Sequence, residues 1–326
     1  MSNGRKIILL ALSMVVIAIL LNLCCLNRIV ASNGQVGDHT DSIVWDGLER
    51  TYLIHIPSFY DRIKPMPLVI ALHGGKGTGK DMIKLTRGSF NTLADKEGFI
   101  VVYPDGIEKN WNDGRLEMKF LSRAHRENID DVGFISVLID RFAKELNIDK
   151  KRVYVTGISN GALMSHRLAC ELSENITAIA MVAGAIPKNK TYTSLPSSPI
   201  SVLVINGIND PLTPWEGREI GGRLKKLGVV LSIPETVKFW VTHNQCSSSP
   251  IITLEPDKDP RDGTRVRQEV YGQGNEGTEV ILYAIEGGGH TWPGGYQYLP
   301  ECIIGKTSKD IDANEVIWNF FKKHIR

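Results

Sequence analysis

The chain has 326 residues, 42% of them hydrophobic, enough to bury the core of one ordinary α/β domain. Its 38 basic and 36 acidic residues leave a formal charge of +2, which gives no electrostatic reason to expect nucleic acid or an anionic surface as partner. Its five cysteines form no C-x-x-C pair and its histidines no H-E-x-x-H, so no metal-ligand spacing is present and no metal is expected.

The N-terminus carries Arg5-Lys6 and then an apolar stretch from Ile7 to Cys25 broken only by Ser13 and Asn22. Residues 1–32 therefore read as a signal peptide or an N-terminal membrane anchor, and residues 33–326 as a single domain delivered outside the cell in either case. Val30-Ala31-Ser32 offers the small residues that favour cleavage, whereas Leu21-Asn22-Leu23 lacks the small residue expected before a lipidated Cys24. The expected location is extracellular, the alternative being an anchored domain facing outward.

Strand and helix patterns then alternate. Arg50 to Ile56 reads as an early strand, Leu68 to Leu72 as the next, and Phe99-Ile100-Val101-Val102-Tyr103 as a third. The spacing of Val132, Ile135, Ile139, Phe142 and Leu146 predicts a helix that Asp130 and Asp131 are placed to cap. Arg152 to Thr156 forms a strand, further strands end at Ala183 and Ile205, a helix runs from about Pro234 to Asn244, and Val280 to Ile285 forms a late strand. A helix carrying Val316, Ile317, Phe320 and Phe321 closes the chain. Such alternation predicts an α/β fold, a mostly parallel central sheet with helices on both faces, whose active residues gather at the carboxyl ends of the strands. Of the cysteines beyond the leader, Cys170 reads as a buried apolar residue, and Cys246 and Cys302 as a candidate disulfide pair. The acids Asp257, Asp259 and Asp262 read as a solvated hairpin loop rather than a calcium site.

Gly157-Ile158-Ser159-Asn160-Gly161 lies between a strand and a helical pattern, the setting of a nucleophile elbow in which a strained turn exposes the serine. Serine needs a base and a group to orient it. Of the downstream histidines, His243 falls in a helix and His324 in the last turn of the terminal helix, and both read as surface residues. His290 follows a strand and the Gly287-Gly288-Gly289 loop, where a base belongs, and Asp210 stands just past the strand ending at Ile205. The oxyanion hole needs two amides: Asn160 supplies one and Gly75, after the strand ending at Leu72, is the better second donor than Gly74. The same loop, Gly74 to Lys80, satisfies most of a phosphate-binding P-loop, but Asp81 replaces the Ser or Thr that would ligate magnesium.

Leu72-His73-Gly74-Gly75, Tyr103-Pro104-Asp105-Gly106 with Trp111, Asp130-Asp131-Val132-Gly133-Phe134, the elbow, Asn206-Gly207-Ile208-Asn209-Asp210 and Gly289-His290-Thr291-Trp292-Pro293-Gly294-Gly295 together resemble the esterase family of polyhydroxybutyrate depolymerases and feruloyl esterases. The resemblance spans nearly all of residues 33–326. It implies a secreted α/β-hydrolase with Ser159, Asp210 and His290 as a triad, hydrolysing carboxylic esters through an acyl-enzyme without metal or organic cofactor. Feruloyl or acetyl esters of plant polysaccharide and short hydroxyalkanoate oligomers are the implied substrates. Depolymerases of solid polyester append a binding domain, and this chain ends at the catalytic domain, so soluble esters are expected. Trp111, Trp215 and Trp292 are expected to line the substrate site, with packing of the loop core as the alternative for each. Asp105, Asp130 and Asp131 read as structural. The competing functional class is a non-catalytic exported module that binds polysaccharide or polyester on the same fold.

Overall fold

Met66–Leu72 and Ser201–Gly207 are buried along their whole length, as strands covered on both faces must be. The computed structural model describes residues 34–115, 122–188, 195–220 and 227–326. The apolar leader lies outside the described residues, and among these no helix is long and apolar enough to cross a membrane. Val36–Arg326 forms one unit.

Its strands are β1 (Gly37–Trp45), β2 (Leu48–Ile56), β3 (Met66–Leu72), β4 (Ile100–Pro104), β5 (Ile148–Ile158), β6 (Ala178–Val182), β7 (Ser201–Gly207), the short β8 (Arg218–Glu219) and β9 (Val229–Val230), β10 (Ile251–Leu254), β11 (Arg265–Tyr271) and β12 (Val280–Glu286). Ten of them form one sheet in the order β1-β2-β4-β3-β5-β6-β7-β12-β11-β10, while β8 and β9 pair separately. From β4 to β12 all neighbours are parallel. The flanks are antiparallel, β1 with β2 and β2 with β4 on one side, β12 with β11 and β11 with β10 on the other. This is the expected α/β-hydrolase architecture, with antiparallel edges that the sequence pattern did not announce.

Each face of the sheet carries its own core. Phe134, Ile135, Leu138, Ile139 and Phe142 of the helix Asp131–Glu145 pack on one side, and Phe90, Trp318 and Phe321 on the other. Asp130 caps the first of these helices by accepting from Gly133 N, as its position predicted. Asp131 instead forms a buried ion pair with Arg50 at 2.5 Å and accepts from Asn112 N at 2.7 Å, tying the β4 loop to the helix start. Asp105 accepts from Gly79 N at 2.7 Å and Thr51 Oγ1 at 2.7 Å. The hairpin acids are paired rather than merely solvated: Asp259 with Arg261 and Lys309, Asp257 with Arg265.

Two expectations are corrected here. Cys246 and Cys302 are free thiols. Cys246 lies against Thr278 before β12 begins, whereas the turn holding Cys302 meets Gly289 and His290 after β12 ends. Seven residues of strand separate those ends by roughly 20 Å, well beyond the ~7 Å Cα limit for a bridge. His324 is not a surface residue: its ring is 12% exposed and meets Glu279 at 3.3 Å.

The helix Asn160–Glu171 is buried on almost every side, and its His166 packs edge-on against Phe239 and Trp240. Burial pushes His166 down from 6.5 to about 3. The unfolded chain therefore binds this proton below pH 6.5 while the folded chain resists it until about 3, so the stability contributed by the neutral ring is complete above 6.5 and lost as pH falls toward 3. Urea unfolding at pH 7.5 and pH 5 should show a lower midpoint at pH 5, and His166→Phe should shrink that difference. An unchanged difference in the variant would assign the acid sensitivity elsewhere.

Candidate active site

Within the parallel core the chain runs from β3 outward to β4 and then returns to β5 on the other side of β3, so the loops after β3 and β5 flank the crevice where the strand order reverses. Both candidate oxyanion loops stand there. At the end of β5, Ser159 has φ 55° and ψ −120°, a left-handed conformation that a side chain rarely adopts, and the helix Asn160–Glu171 begins at the next residue. A Cβ on Gly157 would come within 2.6 Å of the Gly161 backbone, and one on Gly161 within 2.5 Å of Leu72 O and 2.6 Å of His73 O. Only glycine lets the helix approach β3 so closely.

This approach sets Gly75 beside Asn160, where a methyl added to Gly75 would stand 3.7 Å from Asn160 Cβ. His73 holds the loop from inside: its Nε2 accepts from Gly106 N at 2.9 Å, so its Nδ1–H donates to Gly74 O at 2.8 Å, and burial lowers its pKa in keeping with a neutral ring. Further along, Thr78 and Asp81 close a capping box on the helix Gly79–Leu85, which commits Asp81 to a helix start.

Asp210 and His290 come from β7 and β12, parallel neighbours with Gly207 opposite Ile285. Asp210 Oδ1 accepts from Leu212 N at 2.7 Å and Thr213 N at 2.8 Å, and its Oδ2 lies 2.7 Å from His290 Nδ1. The pair is closed to water, the side chains being 0% and 3% exposed. His290 N donates to Ile304 O at 2.6 Å, and Tyr298 donates its hydroxyl to His290 O at 3.0 Å. Ser159, Asn160, Gly74, Gly75 and His290 all line one cavity of about 1050 Å³, whose wall also includes Leu212, Ile220, Leu227, Tyr296 and Tyr298.

The three tryptophans do not line that cavity. Trp111 is fully buried, its ring tilted by 35° against His73 at 4.9 Å and its Nε1 donating to His73 O at 3.0 Å. Trp292 is also fully buried, against Phe90 and with Nε1 3.2 Å from Asn314 Oδ1. Trp215 is half-buried against the core. For Trp111 and Trp292 the role as substrate contacts is withdrawn in favour of packing, because exposure depends on what folds over a ring, not on its distance along the chain from a motif. Tyrosines at the lip, Tyr296 and Tyr298, stand where the tryptophans were expected.

The sequence reading also missed Asp113. Asn160 Nδ2 donates to Asp113 Oδ2 at 2.5 Å and to Trp111 O at 3.0 Å, and Asn160 Oδ1 accepts from Trp111 N at 2.8 Å. The residue after the elbow serine is thus fastened through its side chain to the Trp111–Asp113 segment. An aspartate just before Gly114 looks like turn chemistry, and no local signal separates the two roles.

A crowded strand-to-helix serine and a buried carboxylate–imidazole pair at the strand ends fit an α/β-hydrolase. Residues 51–205, just under half of the chain, match the family described as Esterase PHB depolymerase, and the esterase relatives mark the chain as a carboxylic ester hydrolase similar to that family. It is 28% identical over 85% of its length to NocK of Nocardia uniformis subsp. tsuyamanensis, a protein named as an esterase, of which 80% is covered. It is 29% identical over 62% of its length to feruloyl esterase C of Emericella nidulans, of which 64% is covered, under two thirds of that relative. Among solved structures, an acetyl xylan esterase from Aspergillus awamori superposes with a TM-score of 0.53 over 77% of this chain and 94% of that one, at 18% identity, a likeness of fold.

Tyr298→Phe removes one neutral hydrogen bond from the His290 loop and should lower kcat for an aryl ester about 2- to 10-fold with little change in melting temperature. Trp292→Ala should destabilise the fold by roughly 3–5 kcal/mol and lower kcat/KM equally for aromatic and acetyl esters. A loss confined to aromatic esters would return the indole to the substrate site.

Proposed function

We propose that the protein is an exported serine esterase that cleaves carboxylic esters through an acyl-enzyme, with Ser159 as nucleophile, His290 as general base and Asp210 as the group that orients it. The observation that carries this is the buried 2.7 Å bond between His290 Nδ1 and Asp210, on the wall of the cavity that also holds the strained Ser159. An ionised Asp210 accepts the Nδ1–H, leaving Nε2 with the lone pair needed to take the serine proton. Ser159 Oγ attacks the ester carbonyl as that proton passes to Nε2, and the carbonyl electrons move onto oxygen. The amides of Asn160 and Gly75 receive this oxyanion, a role supported by the closeness of Gly75 to Asn160 and of Gly74 to Ser159. Collapse expels the alcohol, which takes the proton from His290. Water, activated by the same imidazole, then attacks the acyl-enzyme, and the acid leaves as Ser159 regains its proton.

Feruloyl or acetyl esters of plant polysaccharide, or short soluble hydroxyalkanoate oligomers, are the proposed substrates. The named activities of the relatives support them, and so does a cavity with a largely apolar wall and an aromatic lip. The hydrophobic leader after Arg5-Lys6 supports export.

Ser159→Ala and His290→Ala should each lower kcat for a simple aryl ester by at least ~10³-fold, and the double variant should be little worse than either, because the two act as one unit. A burst of alcohol in the wild-type pre-steady state would mark acyl-enzyme formation. Near-normal turnover by Ser159→Ala would overturn the assignment, and the absence of ester hydrolysis by the wild type would favour a binding module.

A further inference from the structure

The cavity wall contains a second hydrogen-bonded series of aspartate, histidine and serine. Ser122 Oγ lies 2.8 Å from His125 Nδ1, and His125 Nε2 lies 2.9 Å from Asp113 Oδ1. Ser122 and His125 line the same cavity as Ser159 and His290. The ring and the carboxylate are almost wholly enclosed, 3% and 0% exposed. The order is reversed relative to Asp210 and His290, since here the carboxylate holds Nε2 and the serine faces Nδ1.

Charge fixes the direction of these bonds. Burial alone would raise the pKa of Asp113, but the Arg115 guanidinium above all, with His125, holds it well below the usual carboxylate range. Arg115 reaches it from Nε at 2.9 Å and from Nη2 at 2.7 Å. An ionised carboxylate can only accept, so His125 Nε2 carries hydrogen. In the tautomer whose Nε2–H donates to Asp113, Nδ1 accepts and Ser122 donates its O–H to it. The serine oxygen then has its own lone pairs left for the cavity, whose wall also includes the apolar Ile220 and Leu227. Ser122 has φ −67° and ψ 164°, ordinary extended backbone without the strain of Ser159, which suits a fixed recognition group rather than a second nucleophile. Asp113 also binds Asn160 Nδ2, so this acceptor is held in register with the reacting serine.

We propose that Ser122, oriented by His125 and Asp113, accepts a hydrogen bond from a hydroxyl on the acyl group of the substrate, so that the enzyme selects hydroxylated acyl esters over their plain counterparts. The inference rests on the esterase reading of the same cavity. Two acyl chemistries present such a hydroxyl, a hydroxyaryl group and a hydroxyalkanoyl chain, and matched pairs distinguish them: methyl p-coumarate against methyl cinnamate, and ethyl 3-hydroxybutyrate against ethyl butyrate.

The test measures kcat/KM for both pairs with the wild type, Ser122→Ala, Ser122→Cys and Ser122→Thr. The wild type should favour the hydroxylated member of one pair. Ser122→Ala should lower that preference about tenfold, the loss expected from one hydrogen bond. Ser122→Cys, a weaker acceptor of similar size, should lower it too, and Ser122→Thr, which keeps the hydroxyl, should retain it. A wild type that hydrolyses both members of each pair equally, or a preference that survives in Ser122→Ala and Ser122→Cys, overturns the inference and leaves the esterase reading intact. Hydrolysis of none of the four esters by the wild type overturns both.

Discussion

The close approach of the elbow helix to the end of β3 is the constraint on which the rest of the site depends. Leu72 O and His73 O lie so near Gly161, and the Gly161 backbone so near Gly157, that a single methyl at either position would part the helix from the strand. That proximity forces Ser159 into positive φ, and it brings Gly75 alongside Asn160. Backbone strain at one residue is sustained by burial of the whole helix beneath it, from Leu163 and Met164 to Leu168 and Ala169. Side-chain hydrogen bonds then finish what packing begins, because Asn160 is fastened to Trp111 and Asp113, and Trp111 in turn to His73.

The parallel centre of the fold was legible because its strands are short apolar runs bounded by Gly, Pro or Asp, and because the motifs fall at their carboxyl ends in chain order. The flanks were not. β10 has four exposed residues and β1 mixes exposed with half-buried ones, so neither shows the alternation or continuous burial by which a strand is recognised. Within the site, Ser159, Asp210 and His290 were placed by motif and position alone, and the structure brings Asp210 and His290 into contact because β7 and β12 are adjacent. Trp111 and Trp292 were misplaced for the opposite reason. Whether a ring beside a motif faces a ligand or a neighbour is decided by residues remote in sequence, Asn314 in the case of Trp292. Asp113, His125 and Ser122 form no local motif and meet only because the β4 loop folds back over the elbow.

The cavity wall is built from two kinds of material. Its floor includes the elbow, where the backbone contacts at Gly157 and Gly161 tolerate no added atom. Its lip is made of longer side chains on the segment after His290, where Tyr298 bonds back to His290 and Tyr296 lies under Lys84 at 5.1 Å. A rigid floor with a side-chain rim lets chemistry stay constant while the rim changes, which fits sequence relatives that carry names for different esters.

The His290 loop depends on chain that follows it. His290 N and Gly289 N donate to Ile304 and Lys306, Gly294 N to Ser308, Ala313 N to Pro293 O, and Trp292 leans on Asn314. During synthesis the elbow and Asp210 therefore leave the ribosome long before the groups that seat His290. A nascent chain that stops short of residue 304 lacks the partners that hold the His290 loop beside Asp210. On the proposed reading, hydrolytic power arrives only with the last segments of the fold.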